Sequence, residues 1–276
     1  MSNLYIVGTP IGNLEDITIR ALETLKKVEF IFSEDTRVSK KLLSRFDITA
    51  KIYSIYTRNK KLNLKKFKEI ISNNDLVFIT DAGSPGVSDP AGEFVKIARS
   101  ENHDIIPIPG VSAVTSAFSV SGFESIGFSF LGFLPKSNIQ KINYISKYFE
   151  TSNPIVIFES PKRIISTLNF LKDEFKIKNI FVAKEMTKIY ETIFSGSIDS
   201  ALKLFDNEKG EFVVIFQNEN KEISKSLIQK YDKILIDGYE KGIKGKKLLD
   251  LLSELTDTKK SFFYERWLEI KNKNEQ

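Results

Sequence analysis

Hydroxyls, carboxylates and glycines gather where apolar runs stop. The richest such stretch is Thr80-Asp81-Ala82-Gly83-Ser84-Pro85-Gly86-Val87-Ser88-Asp89-Pro90. It follows Leu76-Val77-Phe78-Ile79, a run that predicts a buried parallel strand. It precedes Ala91 to Ala98, where Phe94, Val95 and Ala98 share a helical face. Open α/β sheets bind ligands at such carboxyl strand ends. Gly83 and Gly86 let the backbone approach a ligand, Pro85 and Pro90 stiffen the loop, and Ser84, Ser88 and Asp89 offer polar contacts. A tight turn with helix-capping residues has the same composition, so one loop decides nothing.

Several chemistries are excluded. There is no cysteine, hence no disulfide, thiolate or cysteine-bound zinc. The single histidine, His103, precludes a multi-histidine metal site, and its place beside Asn102 in a turn before a strand marks it as structural. No Walker loop is present, and Gly8 to Asn13 is not GxGxxG. Asp35, Asp81, Asp89, Glu159 and Glu185 follow no metal-ligand spacing, and no metal is expected. What remains is chemistry in which a reactive cosubstrate does most of the work. Methyl transfer from S-adenosylmethionine fits. Its sulfonium is already activated, so the protein must align donor and acceptor and help remove one proton.

The elements that would position such loops alternate. Leu4–Val7 is a short strand, followed by the loop Gly8–Asn13 and a helix that Thr18 caps and Ala21, Leu22, Leu25 and Val28 bury. Strand Phe30–Phe32 ends in Ser33–Arg37. Leu42, Leu43 and Phe46 predict a short helix, and residues 52–55 a weak strand. Strand Ile105–Ile108 turns at Pro109–Ser112 into a helix over 114–120. This alternation predicts a parallel sheet with both faces covered, and four polar strand-end loops on one side make a case for a ligand crevice. Phe128–Pro135, Ile155–Phe158, Ile180–Ala183, residues 191–196 and Gly210–Phe216 predict the strands of a second α/β domain, with a helix through Ile164, Ile165, Leu168, Phe170 and Leu171. From about Lys221 the chain turns to short charged helices. The expected domains are 1–118, 119–219 and 220–276.

The 276 residues are 41% hydrophobic, enough for real cores, and carry a net charge of +5, which permits an RNA substrate without demanding one. Residues 58–68 hold six basic side chains and no acidic one. No apolar run approaches the ~18 residues of a membrane span, and because Met1-Ser2-Asn3 leads straight into a strand, no signal peptide is expected. A cytoplasmic protein is expected.

Eight motifs, in order, are Gly8-Thr9-Pro10-Ile11-Gly12-Asn13-Leu14, Glu34-Asp35-Thr36-Arg37, Asp81 to Pro90, Pro107 to Ala113, Gly132-Phe133-Leu134-Pro135, Glu159-Ser160-Pro161-Lys162-Arg163, Ala183 to Lys188 and Lys209-Gly210-Glu211-Phe212. With them the chain resembles the tetrapyrrole methylase superfamily, and within it the ribosomal RNA subgroup that methylates a cytidine 2'-oxygen of 16S rRNA. The superfamily's usual GxGxGD first loop is replaced by Gly-Thr-Pro-Ile-Gly-Asn, a mark of that subgroup. Tyr56-Thr57-Arg58-Asn59 and Lys162 stand where the subgroup often has histidines.

The resemblance implies two α/β domains with the ligand cleft between them and a small helical C-terminal appendage. It implies S-adenosylmethionine as donor, gripped by Pro10, Ile11, Gly12, Asn13, Asp81, Ala82, Gly83, Ser84, Ser112, Ala113, Glu159 and Ala183. It implies a ribosomal RNA substrate in the 30S subunit, and a homodimer. Glu34 and Asp35 are expected to act in catalysis with Arg37 on the ribose or phosphate, or else to form a strand-end ion pair. Lys184 and Glu185 are expected to place a base near a 2'-hydroxyl, or to form a structural pair. Arg58, Lys65, Lys66, Lys68, Lys162 and Arg163 are expected to track RNA phosphates, though a solvated helix face explains the charge run equally well. A small-molecule tetrapyrrole methylase and a non-catalytic RNA-binding module remain the alternatives.

Overall fold

A computed structural model describes residues 2–55, 60–149, 153–207, 209–218, 232–243, 245–256, 263–264, 267–268 and 270–271. The chain forms two compact units, Met1–Gln217 and Asn218–Gln276. The first contains both sheets.

The first sheet is built from β1 (Asn3–Val7), β2 (Phe30–Ser33), β3 (Lys51–Ser54), β4 (Leu76–Ile79) and β5 (Asp104–Ile108), in the order β3-β2-β4-β1-β5. Every pairing is parallel. Helices α1 (Ile19–Lys27), α2 (Thr36–Arg45), α3 (Lys60–Ile71) and α4 (Ala91–Ser100) make the crossovers. Residues along β4 alternate between two cores, as side chains on a strand must. Leu76 and Phe78 enter a cluster with Phe32, Phe67 and Phe94, while Val77 and Ile79 enter one with Leu25, Ile31 and Leu43. A sheet buried on both faces needs apolar side chains at every position, which is why β4 is an unbroken run. The aromatic cluster is directional: Phe67 meets Phe32 and Phe94 edge-on, with centroids 5.3 and 5.0 Å apart.

The second sheet contains β6 (Ser129–Phe133), β7 (Ile155–Glu159), β8 (Asn179–Lys184), β9 (Thr192–Ser197) and β10 (Phe212–Phe216), ordered β6-β7-β10-β8-β9. Only β6 and β7 run parallel. The fold class is therefore the expected pair of α/β layers, one all-parallel and one mixed. Helices α6 (Asn138–Phe149), α7 (Ile164–Phe175) and α8 (Ile198–Leu204) accompany this sheet, with α8 against β8 and β9. Helix α5 (Ala113–Ser119) follows β5 of the first sheet, yet its Val114 and Ala117 pack on Val156, Phe181 and Val213 of the second. The expected boundary at residue 118 thus lies at the end of a helix that belongs by packing to the second sheet.

The unit Asn218–Gln276 contains helix α9 (232–240) and α10 (Gly245–Thr256). Leu235, Leu248, Leu249, Leu252, Phe263 and Ile270 form its core. Gly245 is required there, because a Cβ would lie 2.7 Å from the indole of Trp267. No helix among the described residues is long and apolar enough to cross a membrane.

Candidate active site

Three loops of the first sheet are bound to one another. Thr9 and Gly83 exchange backbone hydrogen bonds, Thr9 N–H to Gly83 O at 2.9 Å and Gly83 N–H to Thr9 O at 3.0 Å. Thr9 Oγ1 donates to Thr80 O at 3.1 Å. Gly8 N–H donates to Ile108 O at 3.0 Å, and a Cβ on Gly8 would lie 2.7 Å from Gly110 Cα. The ends of β1, β4 and β5 therefore form one rigid wall. Gly83 is at φ 79°, a conformation glycine adopts without cost. Asp89 closes the long loop, its carboxylate accepting from the N–H groups of Gly86, Val87 and Ala91 at 2.6, 3.0 and 2.8 Å.

The end of β2 is tied to the same wall. Glu34 Oε2 accepts from Asp81 N–H at 3.0 Å, and Asp81 Oδ1 accepts from Asp35 N–H at 2.9 Å. Asp35 caps α2 by accepting from Arg37 N–H at 2.8 Å. Its Oδ2 also takes Arg37 Nη2 at 2.6 Å. The Arg37 side chain beside it holds the Asp35 carboxyl down to about 2.

The second sheet supplies the opposite wall through its register. Phe212 stands opposite Glu159 of β7 and opposite Lys184 of β8, so three strand termini share one edge. Glu159 is buried. Its Oε2 accepts from Thr167 Oγ1 at 2.7 Å, and its Oε1 accepts from Ser160 N–H at 2.8 Å and faces Arg163 Nε at 3.3 Å. Past β8 the chain bends sharply, with Glu185 at φ 51° and Thr187 at φ 65°. Lys188 Nζ donates to Glu185 Oε1 at 2.9 Å and to Glu211 Oε2 at 3.0 Å. Glu185 Oε1 also accepts from Glu211 N–H at 2.9 Å. Burial alone would raise the Glu185 carboxyl, but Lys188 and the Glu211 N–H outweigh it and hold it low. Against the cost of burial, the Glu185 and Glu211 carboxylates raise the Lys188 ammonium. The two walls meet where Asn13 N–H donates to Thr187 Oγ1 at 2.9 Å. At that point a Cβ on Gly12 would lie 2.5 Å from Lys188 Cγ.

Between the walls lies a cavity of about 490 Å³. Of the expected residues, Ile11, Glu34, Asp81, Ala82, Ser84, Ser112, Ala113, Glu159 and Ala183 line it. Pro10, Gly12, Asn13 and Gly83 are not among its lining residues, though Gly83 and Asn13 tie the loops together. Asp35 is engaged by its cap and Arg37 rather than facing the cavity. Lys184 and Glu185 are not brought to it either. They border a second surface cavity, and Glu185 braces the bend.

The basic residues are dispersed. Arg37 and Lys162 are exposed. Arg163 is turned inward, donating to Leu134 O at 2.7 Å as well as facing Glu159. Lys65 and Lys66 face Glu69, at 4.0 and 3.6 Å, and Lys68 pairs with Glu101 at 2.6 Å. Arg58 lies outside the described residues, as does the stretch 56–59. Ser88 and Asp89, expected as polar contacts of the loop, line the cavity too, and so do Thr80, Val87, Phe133, Phe158, Ser160, Pro161, Met186, Lys188, Glu211, Phe212 and Val213, which had no place in the expected set. The motifs quoted above contain most of them, and that was the available signal.

The lining has a chemical bias. Glu34, Asp81, Asp89, Glu159 and Glu211 are among its lining residues, with Lys188 as the basic one. The carboxylates of Asp89 and Glu159 are taken up by backbone N–H groups and by Thr167 and Arg163. Acidic residues outnumber the basic one in the lining, which suits a cation. Apolar patches from Ile11, Phe133, Phe158, Met186 and Val213 complete it. S-adenosylmethionine, with a sulfonium and an amino group, fits both the charge and the size, since pockets of a few hundred Å³ hold one such ligand. Among the described residues no group of three or more His, Cys, Asp or Glu is placed to hold a metal ion.

Comparison with known proteins gives the same picture. Residues 3–202 match the model of the Tetrapyrrole (Corrin/Porphyrin) Methylases. The chain is 42% identical over 219 residues to the ribosomal RNA small subunit methyltransferase I of Mycoplasmopsis pulmonis, covering 78% of this chain and 98% of that protein. It is 36% identical over 278 residues to its namesake from Neisseria meningitidis, covering 98% and 94%. Among solved structures, it is similar to diphthine synthase, with TM-score 0.65 and 13% identity over 83% of this chain and 95% of that one. It is also similar to a cobalt precorrin-4 methyltransferase, with TM-score 0.57 and 18% identity over 77% and 94%. At those identities the two structures speak to the fold.

Proposed function

Because the chain belongs to the ribosomal RNA small subunit methyltransferase I family of the tetrapyrrole methylases, we propose that its acidic cavity serves methylation of the ribose 2'-hydroxyl of a cytidine in the decoding region of 16S rRNA, presented in the 30S subunit. The family's methyl donor is S-adenosylmethionine. The observation that carries the reading is the cavity's lining, built by loops of both sheets around a space of about 490 Å³, with acidic residues outnumbering basic ones.

When bound, the donor supplies an activated methyl group on a cationic sulfur. The chain's own residues do the rest. The Thr9–Gly83 bridge and the Gly8–Gly110 contact hold the first wall, and Glu159 with Arg163 and Thr167 holds the second. A site fixed in this way gains rate by alignment, because the entropy of bringing two reactants together is met on binding. A 2'-hydroxyl is a weak nucleophile until its proton is leaving, so a carboxylate within reach contributes. Asp81 is exposed at the cavity, and only its Oδ1 takes a hydrogen bond among the described residues. We assign proton acceptance to it, with Glu34 fixing its backbone.

Contacts to the RNA backbone fall to exposed cations outside the cavity, Arg37, Lys162 and Lys65, Lys66 and Lys68 of α3. A homodimer belongs to the same proposal. Light scattering at micromolar protein should give twice the chain mass, and a monomer mass would remove that part of it. The reading as a whole is tested by offering the protein and labelled donor two acceptors, 30S particles and a porphyrinoid precursor. Label in the RNA is expected. Label confined to the porphyrinoid would make the protein a small-molecule methylase, and donor binding with no transfer to either would leave the catalytic reading unsupported.

A further inference from the structure

The bend after β8 carries two side chains that the donor cavity does not use. Ile189 and Tyr190 are 94% and 77% exposed. Large apolar groups that open to water are ordinary on a slack loop, but this loop is braced. Lys188 N–H donates to Glu185 O at 3.0 Å, and Glu191 N–H donates to Lys188 O at 3.1 Å. The Thr187 N–H donates to the Glu191 carboxylate. Lys188 is held by Glu185 and Glu211, and Thr187 accepts from Asn13 of the opposite wall. Two non-glycine residues, Glu185 and Thr187, sit at positive φ within it. Strained backbone of this kind persists where the surroundings over-determine it, and it clusters at ligand sites.

Beside the loop opens a surface cavity of about 530 Å³, which Tyr190 lines with Lys184, Glu185, Glu191 and Lys209. It adjoins the donor cavity through one ion pair, since Glu185 borders the surface cavity and its partner Lys188 borders the other. An aromatic ring on a held backbone, beside the exposed Lys209 and next to the donor cavity, has the features of a stacking platform for unpaired bases. A second protein copy fits less well. Protein interfaces are depleted of charge at their centre and bury about 800 Å² per partner. Here four charged residues border the cavity around two apolar side chains.

We propose that Tyr190 stacks on an unpaired nucleobase flanking the nucleotide that enters the donor cavity, and so is a substrate-specificity residue of the RNA. The proposal rests on the reading of the chain as an RNA methyltransferase. Its test uses the full chain with 30S particles, comparing the parent with Tyr190→Ala, Tyr190→Phe and Tyr190→Trp. The KM for 30S particles should rise about 5- to 100-fold in the alanine variant, the scale of one lost base–aromatic stack. Donor affinity by calorimetry should stay unchanged, and phenylalanine and tryptophan should restore the parent KM. An alanine variant with the parent's KM would overturn the proposal. So would a phenylalanine variant as poor as alanine, because the hydroxyl and not the ring would then be the contact. A loss of activity that tracks a fall in sedimentation mass would assign the ring to a protein interface and overturn it as well. If the parent binds donor but labels no RNA, it is the underlying functional reading that fails, and the variants are not what decides it.

Discussion

Gly83 shows how a single residue sets the site. At φ 79° a side chain is strained whatever the space around it, and here the space is ample, with Ile11 Cγ2 and Val111 O at 3.5 and 3.7 Å from a notional Cβ. The cost of Gly83→Val is therefore in the backbone, about 1–2 kcal/mol for a left-handed L-residue. The Thr9–Gly83 bridge goes with it. Calorimetry should find one donor site per parent chain and none in the variant, while a folded variant that binds normally would refute the assignment of the cavity. Asp35 makes a second prediction. Its carboxyl is held near about 2 by Arg37 and so stabilises the fold fully above the ordinary carboxylate value of ~4. That contribution is lost as pH falls through the lower value. Carboxyl titration followed by NMR should show this group among the last to protonate, and Arg37→Ala should return it toward the ordinary range. Asp81→Asn should lower kcat by at least about a hundredfold, the low end of general-base contributions, and a kcat equal to the parent's would remove Asp81 from that role. At this scale the sequence was a fair guide to the first wall, where glycine and proline loops announce themselves. It was a poor one to the second wall. Phe158, Phe212 and Val213 read as ordinary strand core, and only the antiparallel register reveals that they end at the cavity.

The elements were legible where their burial is uniform and obscure where it is interrupted. The strand β4 announces itself because all four of its residues are buried. Helix α6 does not, because its buried stripe is Lys141, Ile145 and Phe149, and a lysine heads it. That lysine is accommodated by placing Nζ 4.7 Å from the ring centre of Phe170. Burial, then the charge of Arg163, lowers its pKa. Helix α8 has seven residues, too few for a periodic pattern to stand out. The apolar face of α5 was visible, but nothing in a linear pattern says which of two sheets it covers. The aromatic cluster beneath β4 gives a prediction at this scale. Phe67 is fully buried against Phe32 and Phe94 and lies away from the cavity. Phe67→Ala should destabilise the fold by about 3–5 kcal/mol in a denaturant melt. Donor affinity measured well below the transition should be unaffected, and a selective loss of donor binding would mean that α3 shapes the site.

At the scale of the molecule, a net charge of +5 is too small to gather RNA by itself. The proposed substrate must be held by local cations and by shape. Lys65, Lys66 and Lys68 of α3 are already close to Glu69 and Glu101, so they would exchange one partner for another on binding RNA. Reversing Lys65, Lys66 and Lys68 to glutamate should raise the KM for 30S particles and flatten its salt dependence. If all three touch phosphates, the slope should fall by roughly two on a log–log plot. An unchanged salt series would make that face merely solvated. The claim on which the rest depends is the destination of the methyl group. It is tested most directly by incubating the protein with S-adenosylmethionine and 30S particles that lack the modification, then mapping ribose methylation along 16S rRNA. The account predicts one new 2'-O-methylated cytidine, in the decoding region, appearing only when both protein and donor are present. A methyl group on a base, or an unmodified 16S rRNA beside a labelled tetrapyrrole, would contradict it.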